Sequence, residues 1–164
     1  MRILSLINVI GIIGIVCFLF YKNKSEKKIV YINNGELFAS FKMSNESNEK
    51  VKLFEQSKQS ILDSLINEIK LLNPSNDKDL IARLKSEYLS KRNVFSEDIN
   101  KIKQSSTEKI ANQINQYVKE FAEENFYDIV LGANGTGNIW YSKENNDVTK
   151  ELIEFSNAKY DGNK

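Results

Sequence analysis

Three glycines fall within Gly132-Ala-Asn-Gly135-Thr-Gly137, a density that could let backbone amides close around a phosphate. Phosphate loops of that kind have fixed surroundings. A dinucleotide loop reads G-x-G-x-x-G, follows a strand and opens a helix; a nucleoside triphosphate loop ends in Gly-Lys-Ser or Gly-Lys-Thr. Here the order is reversed, G-x-x-G-x-G, and no such lysine closes it. The residues that follow, Asn138-Ile-Trp-Tyr141, have strand character instead of helical character. The segment therefore reads as a β-hairpin, Tyr127–Leu131 against Asn138–Tyr141, with glycine supplying positive φ at the bend.

Other chemistry finds little support. The chain has no histidine, so the commonest general base and the commonest metal ligand are missing. Its one cysteine, Cys17, lies in an apolar run and cannot build a disulfide, a zinc cluster or a redox pair. Acidic residues are numerous, but their spacing singles out no catalytic pair and suits solvated helix faces. Asn45-Glu-Ser47 and Asn134-Gly-Thr136 match glycosylation sequons, a weak signal that matters only in a eukaryotic secretory setting. With 23 basic and 22 acidic residues the net charge is +1, which gives no sign of a nucleic-acid binder. The expectation is a protein that is not an enzyme, with no cofactor, no metal site and no small-molecule substrate.

The elements that would hold these residues are mainly long helices. Ile29 to Ile32 is a short β-branched and aromatic run that ends at the turn signal Asn33-Asn34-Gly35, and a helix starts at Glu36. From about Asn45 to Leu72, Val51, Phe54, Ile61, Leu65, Ile69 and Leu72 recur at helical spacing, and Lys58 interrupts the stripe. The chain's one proline, Pro74, ends this helix within Asn73-Pro-Ser-Asn-Asp77, whose polar residues can cap the next. A second helix from about Lys78 to Asn125 would be roughly 70 Å long and must pair with the first as an antiparallel hairpin. Within it, Tyr88, Ile99, Ile110 and Phe121 stand eleven residues apart, as do Leu84, Phe95, Ser106 and Tyr117. That period favours a nearly straight pair over a left-handed coil. These residues either close the hairpin seam or face a partner; Lys58, Ser105 and Ser106 weaken the seam and suit a flexible arm. A last amphipathic helix begins near Val148 and carries Leu152, Ile153 and Phe155.

The amino-terminal run from Ile3 to Tyr21 is apolar and about long enough to cross a bilayer. It lacks a small-residue cleavage site, and Val16 before Cys17 argues against lipidation. It reads as an uncleaved membrane anchor, with a cleaved signal peptide as the alternative. Lys22, Lys24, Lys27 and Lys28 follow it. Taken alone, the positive-inside rule would place the rest of the chain in the cytoplasm, against the location reached next.

Strand, helical hairpin, strand, strand and helix in that order resemble the Skp/OmpH family of periplasmic chaperones. The resemblance is carried by Lys28-Ile-Val-Tyr-Ile-Asn-Asn-Gly-Glu-Leu-Phe38 and its continuation to Phe41, by Asp128 to Leu131, and by Asp147, Val148, Thr149 and Leu152. Through the arms it is a match of pattern and length. It implies a homo-oligomer, a trimer, in which strands of three subunits build one body and three arms enclose a cavity. It implies an ATP-independent holdase for unfolded outer-membrane proteins in the periplasm. This chain departs from the family in its near-neutral charge, although Lys78 to Lys103 holds seven basic and four acidic residues. It also departs in its retained amino terminus, which would tether the chaperone to the inner membrane through residues 3–21. The alternative function is a structural coiled-coil tether of the cell envelope that binds one folded partner.

The expected architecture is α+β. Residues 1–24 form an anchor or signal segment, 25–41 with 126–164 a small β-body, and 42–125 a helical-hairpin arm. Candidate body-core or oligomer residues are Val30, Ile32, Leu37, Phe38, Ile129, Leu131, Ile139 and Tyr141. Candidate seam or client-facing residues are Phe54, Ile61, Leu65, Leu84, Tyr88, Phe95, Ile99, Ile102, Ile110, Tyr117 and Phe121. Three strands in one chain leave exposed edges and little core, so the body should oligomerise. Ile32→Asp or Leu131→Asp is expected to dissociate it.

Overall fold

A computed structural model of the chain describes residues 11–16, 18 and 27–162. The first strand, β1 (Ile29–Asn33), leads directly into a short helix, α1 (Asn34–Ser40). Asn33 makes that junction, because its side chain accepts a hydrogen bond from the Glu36 amide at 3.2 Å and so caps the helix. Phe41 breaks the helical path with extended backbone. Then α2 (Lys42–Leu71) and α3 (Lys78–Asn125) form the arm, and β2 (Ile129–Ala133), a 3₁₀ turn (Glu144–Asn146) and α4 (Thr149–Gly162) complete the chain.

The two strands meet because the helical hairpin brings the chain back. They pair in parallel, with Ile29 opposite Ile129 and Asn33 opposite Ala133. A parallel pair needs a long crossover, and the arm is that crossover. The expected β-hairpin does not form. Asn138 to Tyr141 is irregular, and β2 takes β1 as its partner instead. The other edge of β1 bridges at Tyr31 to Asp147, and the Val148 amide donates to the Tyr31 carbonyl at 3.0 Å. Local side chains explain the lost strand. The Asn138 carboxamide donates to the Gly132 carbonyl and accepts from the Asn134 amide at 3.3 Å, which turns the chain away before Ile139 could pair. Gly135 and Gly137 do take positive φ, at 73° and 93°.

The core lies where the arm joins the sheet. Val30 and Ile32 from β1, Leu37 from α1, Phe41, Ile110, Ile114, Tyr117 and Phe121 from α3, and Val148 with Leu152 form one buried cluster. Phe41 packs edge-on against Tyr117, with ring centres 6.1 Å apart, and against Tyr160 at 5.6 Å. Lys159 holds α4 on α3 through Glu120 and Glu124, each at 3.2 Å. The hydroxyl of Ser156, a residue only 1% exposed, is buried in this region without a hydrogen-bond partner. Ser156→Ala removes that buried polar group and favours the helix, so it should stabilise the fold by about 1 kcal/mol, read as a higher urea midpoint.

Candidate functional site

The arm offers the first candidate surface. Its seam is closed by buried residues only in places: Val51 and Leu62 on α2, and Leu84, Ile110, Ile114, Tyr117 and Phe121 on α3. Between Leu84 and Ile110, α3 buries no residue. A groove of ≈ 470 Å³ opens there, lined by Glu55, Lys58, Leu62, Arg92, Phe95 and Ile99 among others. A second hollow beside it is bordered by Val51, Ser106 and Ile110. Ser106 is too short to fill the gap that a leucine at its eleven-residue position would close.

Lys58, which interrupts the apolar stripe of α2, is a seam residue in its own right. Its ammonium lies 4.8 Å from the centre of the Phe54 ring and 4.5 Å from that of Phe95, so one cation bridges aromatic rings of both helices. Lys103 crosses the same seam to Glu55 at 2.7 Å. The sequence pattern missed this role because apolar periodicity scores a lysine as a gap, whereas its methylene stem packs and its charge stacks. Lys58→Gln keeps the stem and removes the charge. It should loosen the mid-arm by about 1 kcal/mol, speeding amide exchange around Phe54 and Phe95 about fivefold; unchanged exchange would refute the bridging role.

The arm candidates separate by burial. Leu84, Ile110, Tyr117 and Phe121 are buried; Phe54, Leu65, Tyr88, Phe95, Ile99 and Ile102 are half-buried along the seam; Ile61 is exposed. Leu53, Leu89 and Val94 add further exposed apolar side chains along the arm. Of the body candidates, Val30, Ile32 and Leu37 are buried, while Phe38, Ile129 and Leu131 are exposed and Ile139 is half-buried. Tyr141 is 85% exposed, so it is not a core residue of the single chain; with no second strand to carry it inward, it stands on the loop. Ile129 and Leu131 share the outer face of the sheet with Ile29, opposite the face that buries Val30 and Ile32.

The glycine loop uses its amides internally. Asn134 accepts from the Thr136 amide at 3.1 Å, and the Asn134 amide itself is taken by Asn138. A methyl group at Gly132 would meet the end of the Asn34 side chain at 2.6 Å, a contact that this exposed side chain can relieve by turning. The Asp147 carboxylate accepts from the Thr149 amide at 3.0 Å and from the Thr149 hydroxyl, and Thr149 in turn accepts from the Asn33 amide at 2.8 Å. Burial opposes ionisation of Asp147, but these bonds and one from Tyr31 outweigh it and hold the carboxyl below its ordinary pKa. A depressed carboxyl stabilises the fold above its unfolded pKa of about 4 and loses that contribution as pH falls through the folded value. Asp147→Asn should therefore flatten the acid limb of a stability–pH curve below about pH 4, measured by urea unfolding at each pH. Among the described residues no group of three or more His, Cys, Asp or Glu is placed to hold a metal. Among them, too, no helix is long and apolar enough to cross a membrane; the anchor expected at 3–21 falls largely outside the described residues.

The family of outer membrane proteins described as OmpH-like matches residues 28–155. The chain belongs to the OmpH-like family. The match runs from the first residue before β1 into α4, so body and arm are both inside it. Among solved structures, a candidate outer membrane chaperone (OmpH-like) from Caulobacter crescentus CB15 superposes with a TM-score of 0.53. It is 9% identical, over 82% of this chain and 86% of that one, and at that identity the likeness concerns the fold. No curated protein matches the chain.

Proposed function

We propose that this chain is an ATP-independent holdase of the periplasm that keeps unfolded outer-membrane proteins soluble, acting as a homotrimer tethered to the inner membrane by residues 3–21. In this proposal residues 1–24 anchor the chain, 25–41 with 126–164 form the body, and 42–125 form the arm. The reading is supported by membership of the OmpH-like family. The observation that carries it is the arm itself. Exposed Leu53, Ile61, Leu89 and Val94 are spread among charges along α2 and α3, beside the open groove at Lys58 and Phe95. Scattered weak contacts of that kind suit a client without defined shape better than one folded partner, which would need a compact complementary patch. The resemblance of the solved Caulobacter protein, itself described as a candidate outer membrane chaperone, points the same way.

The sheet supports oligomerisation. A parallel pair with Ile29, Ile129 and Leu131 exposed on one face is an unusual ending for a parallel sheet, which is ordinarily covered on both faces. Copies of the chain would cover it, with Phe38, Ile139 and Tyr141 at the margin. The test uses the fragment Ser25 to Lys164, mixed with a urea-unfolded outer-membrane β-barrel protein diluted out of denaturant without ATP. Light scattering should stay low at about one oligomer per client. Aggregation at the uncatalysed rate, with the fragment folded and oligomeric, would reject the holdase in favour of an envelope tether.

A further inference from the structure

In the loop after β2, Asn134-Gly135-Thr136 places a side-chain amide one residue before an unhindered backbone nitrogen. All three residues are exposed. The Asn134 Oδ1 accepts from the Thr136 amide at 3.1 Å and from the Thr136 hydroxyl at 2.6 Å, so two donors converge on one carbonyl oxygen. The Nδ2 of the same carboxamide has no hydrogen-bond partner among the described residues. Gly135 takes φ 73°, and a β-carbon added there would meet no atom beyond its chain neighbours within 4 Å. Its amide donates to no group among the described residues. The carbonyl is polarised, the leaving nitrogen is unbound and the neighbouring nitrogen is open to solvent.

We propose that Asn134 is a self-promoted deamidation site, in which the Gly135 nitrogen attacks the Asn134 Cγ while the Thr136 hydroxyl and amide hold the oxygen on which charge develops. The Gly135 nitrogen gives its proton to solvent base and bonds to Cγ. The Cγ–Nδ2 bond breaks, and the departing nitrogen takes up a proton and leaves as ammonia. The five-membered succinimide that remains is opened by water at either carbonyl, giving aspartate or isoaspartate at 134. Nothing is oxidised or reduced, and water from the solvent is the only co-reactant. Donors already aimed at a developing oxyanion need no reorganisation during the reaction. The same dipeptide occurs at Asn34-Gly35 and is also exposed, but there it opens α1. Ring closure needs the peptide to rotate out of the helical range, so reaction at Asn34 waits on local opening. At 134 the new carboxylate takes the formal net charge of the chain from +1 to 0. The isoaspartyl form also lengthens the main chain by one carbon directly after β2, which ends at Ala133.

The test uses the full chain, purified in detergent and held in mildly alkaline buffer made with heavy-oxygen water, either folded or in urea. Peptide mass spectrometry then measures the labelled carboxylate formed at 134 and at 34. In the folded chain, 134 should convert at least as fast as it does in urea and at least about tenfold faster than 34, whose reaction is limited to the opened fraction of α1. Urea should bring the two sites close together. Thr136→Val removes one donor and should slow conversion at 134 about threefold in the folded chain, less than the loss of an enclosed oxyanion donor because this loop is open to water. Thr136→Ser keeps the hydroxyl and should restore the rate, and neither substitution should matter in urea. Circular dichroism checks that both variants stay folded. Conversion at 134 that is slower in the folded chain than in urea overturns the proposal, because the loop would then protect Asn134. A folded Thr136→Val chain that converts at the unchanged rate or faster also overturns it, because the donors would then give no assistance.

Discussion

Phe41→Ala should lower the unfolding free energy by about 3–5 kcal/mol, enough to leave a small domain largely unfolded at modest urea. Phe41 is fully buried at the break between α1 and α2, and its ring touches Tyr117 of α3 and Tyr160 of α4. Removing it therefore loses transfer energy, two edge-on aromatic contacts and the wedge that sets the entry angle of the arm. Collapse around the gap is restricted, because Leu37, Ile114 and Leu152 are already close-packed in the same cluster. Leu53→Ala serves as the comparison. Leu53 is 65% exposed, and its truncation should stay within about 0.5 kcal/mol. The check is urea unfolding followed by circular dichroism. A Phe41→Ala loss below about 1 kcal/mol would mean that the body is not organised around this ring.

The helices were legible because each carried two independent signals. The stop at Leu72 has both a loss of apolar period and Pro74, and α3 runs over Lys78–Asn125 as the periodicity predicts. The short β1 was legible from its β-branched run. The hairpin expectation failed for a specific reason. Asn-Gly with flanking β-formers marks a bend, but it does not say which strand will take the free edge. That edge was decided by Asp128, whose carboxylate holds the Lys28 amide, and by Tyr31, which engages Asp147. These contacts join residues a hundred or more positions apart, and no local pattern encodes them. Phe41 was missed likewise: nothing in Leu37-Phe-Ala-Ser-Phe41 distinguishes the fully buried ring at 41 from the exposed one at 38. On the arm, periodicity located the seam but could not show where it stays open. Lys58 reads as a defect in the pattern and is a stacked cation in the fold.

Ile32→Asp and Leu131→Asp, which look equivalent in sequence, should behave in opposite ways. Ile32 faces the core and is 5% exposed, while Leu131 is 44% exposed on the other face of the same two-stranded sheet. An aspartate at 32 would sit among Leu37, Ile114 and Leu152 without a partner. Burying it costs several kcal/mol, so the body should unfold and lose its cooperative urea transition. An aspartate at 131 meets water in the single chain and should change the stability of an isolated protomer by no more than about 0.5 kcal/mol. Between copies the balance reverses. If the outer face of the sheet is where protomers join, each copy would bring one carboxylate into the contact, and like charges at close range in a dry interface are strongly unfavourable. Leu131→Asp should therefore keep its helical circular dichroism and sediment as a smaller species than the unmodified fragment. A Leu131→Asp variant that sediments unchanged would move the oligomer contact off this face, and the exposed Ile29, Ile129 and Leu131 would then need another covering.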